Sequence, residues 1–99
     1  MKVLSPDTTV SEGPDRLLSQ HHLSIVRLVL PKGDTIKRHR SLMTVTVVAI
    51  KGSIQFHTDD EETTLVPGKA VVMAPGEFHW LEAPDEAGEV MVVHGVLAQ

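Results

Sequence analysis

The chain has 99 residues, enough for one domain and too few for two independently stable cores, so all of its motifs must share one fold. Its formal net charge is −4, and lysine and arginine gather only in the short run Lys37, Arg38, Arg40, which excludes the electrostatic footprint of a nucleic-acid or anionic-membrane binder. The absence of cysteine excludes a disulfide framework, a thiolate zinc site and a cysteine nucleophile, and leaves any metal to nitrogen or oxygen donors.

Residues 1–14 mix Ser, Thr, Asp, Pro and Gly without periodicity and read as a leader that either lies along the domain or frays. Their apolar stretch is too short for a signal-peptide core or a spanning helix, so a cytoplasmic protein is expected. A single domain is expected over 15–99. Within it, short runs rich in Val, Ile, Leu and Thr alternate with Pro-x-Gly, Lys-Gly, Asp-Asp and Pro-Gly, where proline presets φ and glycine supplies the positive φ of tight turns. The runs are 16–20, 23–31, 43–51, 53–58, 62–67, 69–75, 78–83 and 88–97. None has helical period: "SIVRLVL" and "MTVTVVAI" alternate or run continuously with β-branched residues, as strands do. So many short strands predict an all-β sandwich or barrel that hides its edges. The acidic run Asp59–Glu62 is read as a hairpin tip.

Two stretches then fall into a known order. "GDTIKRHRSLMTVTVVAIKG", Gly33 to Gly52, resembles the first motif of the cupins, with a glycine, five residues, a histidine and a strand ending at glycine. "GKAVVMAPGEFHW", Gly68 to Trp80, resembles the second, in which a strand turns at a Pro/Gly pair and sets a histidine three residues after the second glycine. The resemblance covers the central half of the chain. It implies a small antiparallel β-barrel of jelly-roll type, often dimeric, whose interior pocket in many members holds one divalent metal ion. It does not choose among isomerases, dioxygenases, decarboxylases, storage proteins and sensing domains. The chain departs from the pattern where the first motif usually supplies two histidines and a glutamate: the matching positions read His39, Ser41 and Val45. The second motif keeps its histidine as His79.

In a strand, residues two apart share a face. His79, Leu81 and Ala83 therefore point one way, and Phe78 and Trp80 the other. The resemblance turns the His79 face inward, and the expected pocket is lined by His39, Ser41, Val45, Val47, His79 and Leu81. As a metal site, the pair His39 and His79 is incomplete beside the roughly four ligands of zinc, and His94 is the further candidate, since Val90, Val92 and Val96 share its parity. Glu77, in a turn, and His57, alternating with Ile54 and Phe56, are read as solvent-facing, as are His21 and His22. The implied cofactor is a single divalent transition metal (Zn, Ni, Fe or Mn) or none.

Two functions are carried forward: a cupin that binds a small molecule between His39 and His79, and a metal-dependent enzyme of oxygenase, isomerase or lyase type using the same pocket. A third class is a structural or regulatory partner of another protein. Phe78 and Trp80 on the outer face call for cover, and a homodimer is the expected source, with the leader or the strand "RLLSQ" as the alternative.

Overall fold

The computed structural model describes residues 1–96; the expected end of the last run at 97 and of the domain at 99 lie outside them. The described residues form nine strands and no helix: β1 Gly13–Ser19, β2 Leu23–Leu30, β3 Thr35–His39, β4 Thr44–Gly52, β5 Ile54–Thr58, β6 Glu62–Leu65, β7 Ala70–Met73, β8 His79–Glu82 and β9 Gly88–Gly95. They pair antiparallel in two sheets, β1-β2-β9-β4-β7 and β3-β8-β5-β6. The sheets face each other as the halves of a jelly roll, without ladder hydrogen bonds closing them into a continuous barrel.

Strict alternation makes the core. On β4, Val45, Val47 and Ala49 are buried while Thr44, Thr46 and Val48 are half-exposed. Their partners across the interior are Ile54, Phe56, Leu65 and Leu81 of the second sheet, all at most 2% exposed, so one apolar layer joins both sheets. Burying each such side chain contributes about 1.5–3 kcal/mol.

One strand is absent from the eight predicted runs. β3 reads "TIKRH", and of its side chains only Ile36 is even half-buried. An edge strand whose side chains are nearly all exposed and polar has no apolar periodicity; it exists because β8 supplies its ladder partner.

β1 begins at Gly13, so Gly13 and Pro14 belong to a strand. Outside the first sheet, Arg27 (5% exposed) lies between Asp15 (6% exposed) and Glu89, with N–O distances of 3.0 Å to each. Its remaining Nη donates to the carbonyls of Asp7 at 3.0 Å and Val10 at 3.4 Å, while the Asp7 amide donates to Asp15 at 2.9 Å. Residues 7–10 are thus held against the sheet by the Arg27 guanidinium and the Asp15 carboxylate.

The cover expected of a second copy, the leader or "RLLSQ" comes from neither of the in-chain candidates. Trp80 stacks on its cross-strand neighbour His57, with centroids 5.2 Å apart and planes 6° from parallel. The guanidinium of Arg38 sits 3.8 Å above the Phe78 ring and forks onto Asp59 at 2.8 and 2.7 Å. Stacking and cation–π contact satisfy these aromatics with polar neighbours on their own sheet.

Candidate functional site

The inward residues of the first sheet lie in register rows. Arg16 pairs with Val26, Val26 with Val92, and Val92 with Val47. These four, with Pro14, Leu28 and His94, form one wall of a cavity of about 210 Å³; His39, His79 and Leu81 of the second sheet form the other. The volume lies below the roughly 300–1,000 Å³ typical of drug-sized sites, so the space suits a small ligand.

His39 reaches this wall through an irregularity. Ile36 pairs with Leu81, but the register then shifts, so that His39 rather than Arg38 stands opposite His79. An extra residue in one strand reverses the parity beyond it. Regular alternation from Ile36 would have turned Arg38 inward; the bulge turns His39 in and releases Arg38 to Phe78 and Asp59.

The imidazoles of His39 and His79 meet edge to face, with centroids 4.2 Å apart and an interplanar angle of 62°. His79 is 3% exposed and also stacks on Phe56 at 5.8 Å, so its orientation is fixed on two sides. Its Nδ1 lies 3.0 Å from the Glu77 carbonyl, and Nδ1 of His39 lies 2.7 Å from the Lys37 carbonyl. A carbonyl can only accept, so both Nδ1 atoms carry a proton, and the neutral form of either ring has its lone pair on Nε2. Burial pushes the His79 pKa below the ordinary histidine value, against the raising effect of the Glu77 carbonyl and with help from His39 and His94. His94 is lowered for the same first reason, burial, and then by His39. Both rings are neutral at pH 7.

Of the residues expected in the pocket, His39, Val47, His79 and Leu81 line the cavity, and so does His94. Ser41 and Val45 do not. Ser41 belongs to the β3–β4 loop, where its hydroxyl accepts the Met43 amide at 3.1 Å and its carbonyl accepts the Gly76 amide at 2.7 Å. That second bond ties the loop after His39 to the turn before His79, and Gly76, at φ +85°, has the backbone freedom to make it. Val45 shares the inward parity but is enclosed in the apolar core at 1% exposure, leaving no surface for the cavity. Glu77 is engaged elsewhere, its carboxylate accepting the Ala74 amide at 3.1 Å. His57 lies on the outer face, within 3.4 Å of Glu62 and 3.2 Å of Glu82. His21 and His22 are exposed and touch only edge to face, 4.4 Å apart.

Sequence reasoning missed Pro14, Arg16, Val26, Leu28 and Val92. The signal available for the first two was parity, since Pro14 and Arg16 flank the outward Asp15, but starting the first run at 16 hid the part of β1 that shows it. A second, smaller cavity of about 120 Å³ opens between β5–β6 and β7; it is lined by Glu61, Glu62 and Glu77 among others and contains no imidazole.

His39 and His79 are the cavity's closest pair of donors for a metal ion. Nε2 of His39 and of His79 are chemically suited to one. Among the described residues, however, no three His, Asp or Glu side chains stand close enough to hold one ion, and His94 does not complete the pair. The residues present therefore do not make the three-donor protein site that a tightly held catalytic ion needs.

A family model described as a cupin domain matches residues 26–95. No curated protein matches the chain. Among solved structures, the chain is similar to a conserved protein of unknown function from Streptococcus pyogenes, at 28% identity and a TM-score of 0.77 over 87% of this chain and 75% of that one. It is also similar to an RmlC-like cupin with a double-stranded β-helix fold from Methanocaldococcus jannaschii, at 21% identity and a TM-score of 0.85 over 97% and 91%. The DMSP lyase DddQ from Ruegeria pomeroyi matches at 18% identity and a TM-score of 0.72, over 77% of this chain and 39% of that one. At 21% and 18%, the last two likenesses speak to the fold alone.

Proposed function

The chain belongs to the cupin family, and from that premise we propose that it binds a small molecule in the cavity between His39 and His79. The observation that carries this reading is the shared tautomer of the two rings. Each Nδ1–H is committed to a carbonyl, so each neutral ring offers an Nε2 acceptor beside Val26, Leu28, Val47, Leu81 and Val92. An apolar pocket with a few convergent polar atoms fixes a ligand's orientation by those atoms and takes its affinity from burial. A hydroxyl or amine on the ligand is the matching donor.

A mononuclear enzyme holding zinc, nickel, iron or manganese on the same pair is the second reading. The two Nε2 atoms favour it; the lack of a third donor in reach among the described residues weighs against it.

Amide NMR with pentan-1-ol as the probe tests the proposal. We expect saturable shifts centred on β8 and β9, and their loss in Val26→Trp, which fills the cavity from its half-exposed wall without overpacking a fully buried site. Equal shifts in wild type and a folded Val26→Trp would contradict it. Stoichiometric metal in untagged protein, lost in both His39→Ala and His79→Ala, would move the assignment to the second reading.

A further inference from the structure

The cavity differs in charge from the protein around it. The chain carries a formal net charge of −4, yet no Asp or Glu lines this space, and its one permanently charged lining residue is Arg16. The second cavity, by contrast, is bordered by three glutamates.

Arg16 is free for a ligand. The ion pairs among the described residues are those of Arg27, Arg38 and His57, and Arg16 is an exposed residue. Its neighbour Asp15 faces outward to Arg27. Beyond Arg16 the register of β1 shifts, so that Leu18 pairs with Ile25 and Ser19 with Ser24. Ile25 shares the face of Arg27, so the bulge sends Leu18 outward, and Arg16 is the one charged side chain among the inward residues Pro14, Arg16 and Ser19 of β1. Bulges re-aim side chains next to sites in this way, and the one in β3 does the same for His39.

We propose that the ligand is a small carboxylate bearing a hydroxyl or amino group. The Arg16 guanidinium holds the carboxylate at the cavity rim, and Nε2 of His39 and His79 accept from the distal donor. Arg16 stands in register with Val26, and Val26 with Val92, so two strand spacings, roughly 9–10 Å, separate Arg16 from the centre of the wall. An extended side chain and a short aliphatic ligand span that distance. The guanidinium fork matches a carboxylate, and the bond is charge-assisted. The imidazoles contribute Nε2 acceptors, their Nδ1–H groups being held by the Lys37 and Glu77 carbonyls.

The inference rests on the cavity-binding reading, and three probes of equal chain length separate the two: pentan-1-ol, pentanoate and 5-hydroxypentanoate. By NMR titration at pH 7.5, 5-hydroxypentanoate is expected to bind about tenfold more tightly than pentan-1-ol. In Arg16→Met, 5-hydroxypentanoate should bind no tighter than pentan-1-ol measured on the same variant, with Arg16→Lys retaining part of the gain. If the alcohol binds while the acid binds no tighter, or if Arg16→Met weakens all three probes equally, the carboxylate assignment is overturned and the cavity reading stands. If none of the probes perturbs β8 or β9, both fall.

Discussion

Replacing Gly52 by alanine is expected to destabilise the protein by about 3–5 kcal/mol, at the severe end for one added methyl. Gly52 closes β4 at φ +69°, a region that costs an L-residue roughly 1–2 kcal/mol. The larger part is steric. A Cβ on Gly52 would overlap the carbonyl oxygen of Ala87 and crowd the carbonyl carbon of that residue and Cα of Gly88. These are backbone atoms, and Gly88 is the ladder partner of Gly52. To make room, the start of β9 must leave β4, and with it Val90 from the core. Gly33 is the control: it also has positive φ, +92°, but nothing lies within 4 Å of its added Cβ. Gly33→Ala should show the conformational cost alone. Urea unfolding of both variants checks the pair, and a loss below about 1 kcal/mol for Gly52→Ala would contradict the close approach of these two strands.

Arg27→Met is expected to lower the unfolding midpoint more than any exposed substitution and to release residues 7–10. Arg27 and Asp15 are both nearly buried, so removing the guanidinium leaves a carboxylate without its counter-charge in a poorly hydrated place. Breaking one half of a buried pair is much worse than removing both. The double variant Asp15→Leu/Arg27→Met should therefore recover much of the stability while leaving the leader detached, since the donors to the Asp7 and Val10 carbonyls are gone in both. Hydrogen exchange at the Val10 amide, which donates to Asp7 at 3.1 Å, reports the leader separately from the domain. Retained protection at Val10 in the single variant would show that something other than Arg27 holds the segment.

The architecture was legible in the sequence because the core strands carry it openly: β4, β5 and β8 each alternate buried and less buried residues, and alternation survives any change in what pairs with them. The two motif histidines were legible through their resemblance to cupins. What escaped depends on pairing across distance. β3 has no apolar period of its own and is a strand by virtue of β8. The bulges in β1 and β3 shift parity at single positions, and nothing in "PDRLLS" or "TIKRH" announces where. Ser41 and Val45 follow the motif positions, yet one is spent on a loop–turn hydrogen bond and the other on the core, because the pocket wall is set by which rows the sheets leave unfilled.

Two rings from distant segments meet at one cavity, the exposed His39 and the buried His79, each with a proton on Nδ1. As pH falls below about 6.5, the ordinary histidine value, the unfolded chain takes up protons that folded His79 and His94 resist, since their pKa values are lowered. The stability they contribute is whole above that pH and is lost as pH falls toward the lowered folded values. Long-range ¹H–¹⁵N correlation spectra of the imidazoles, recorded through a pH titration, address this directly. The account predicts the Nδ1–H tautomer for both His39 and His79, a ring-to-ring NOE between them, and a His79 midpoint below 6.5. An Nε2–H tautomer on either ring, or no NOE between the two, would contradict it.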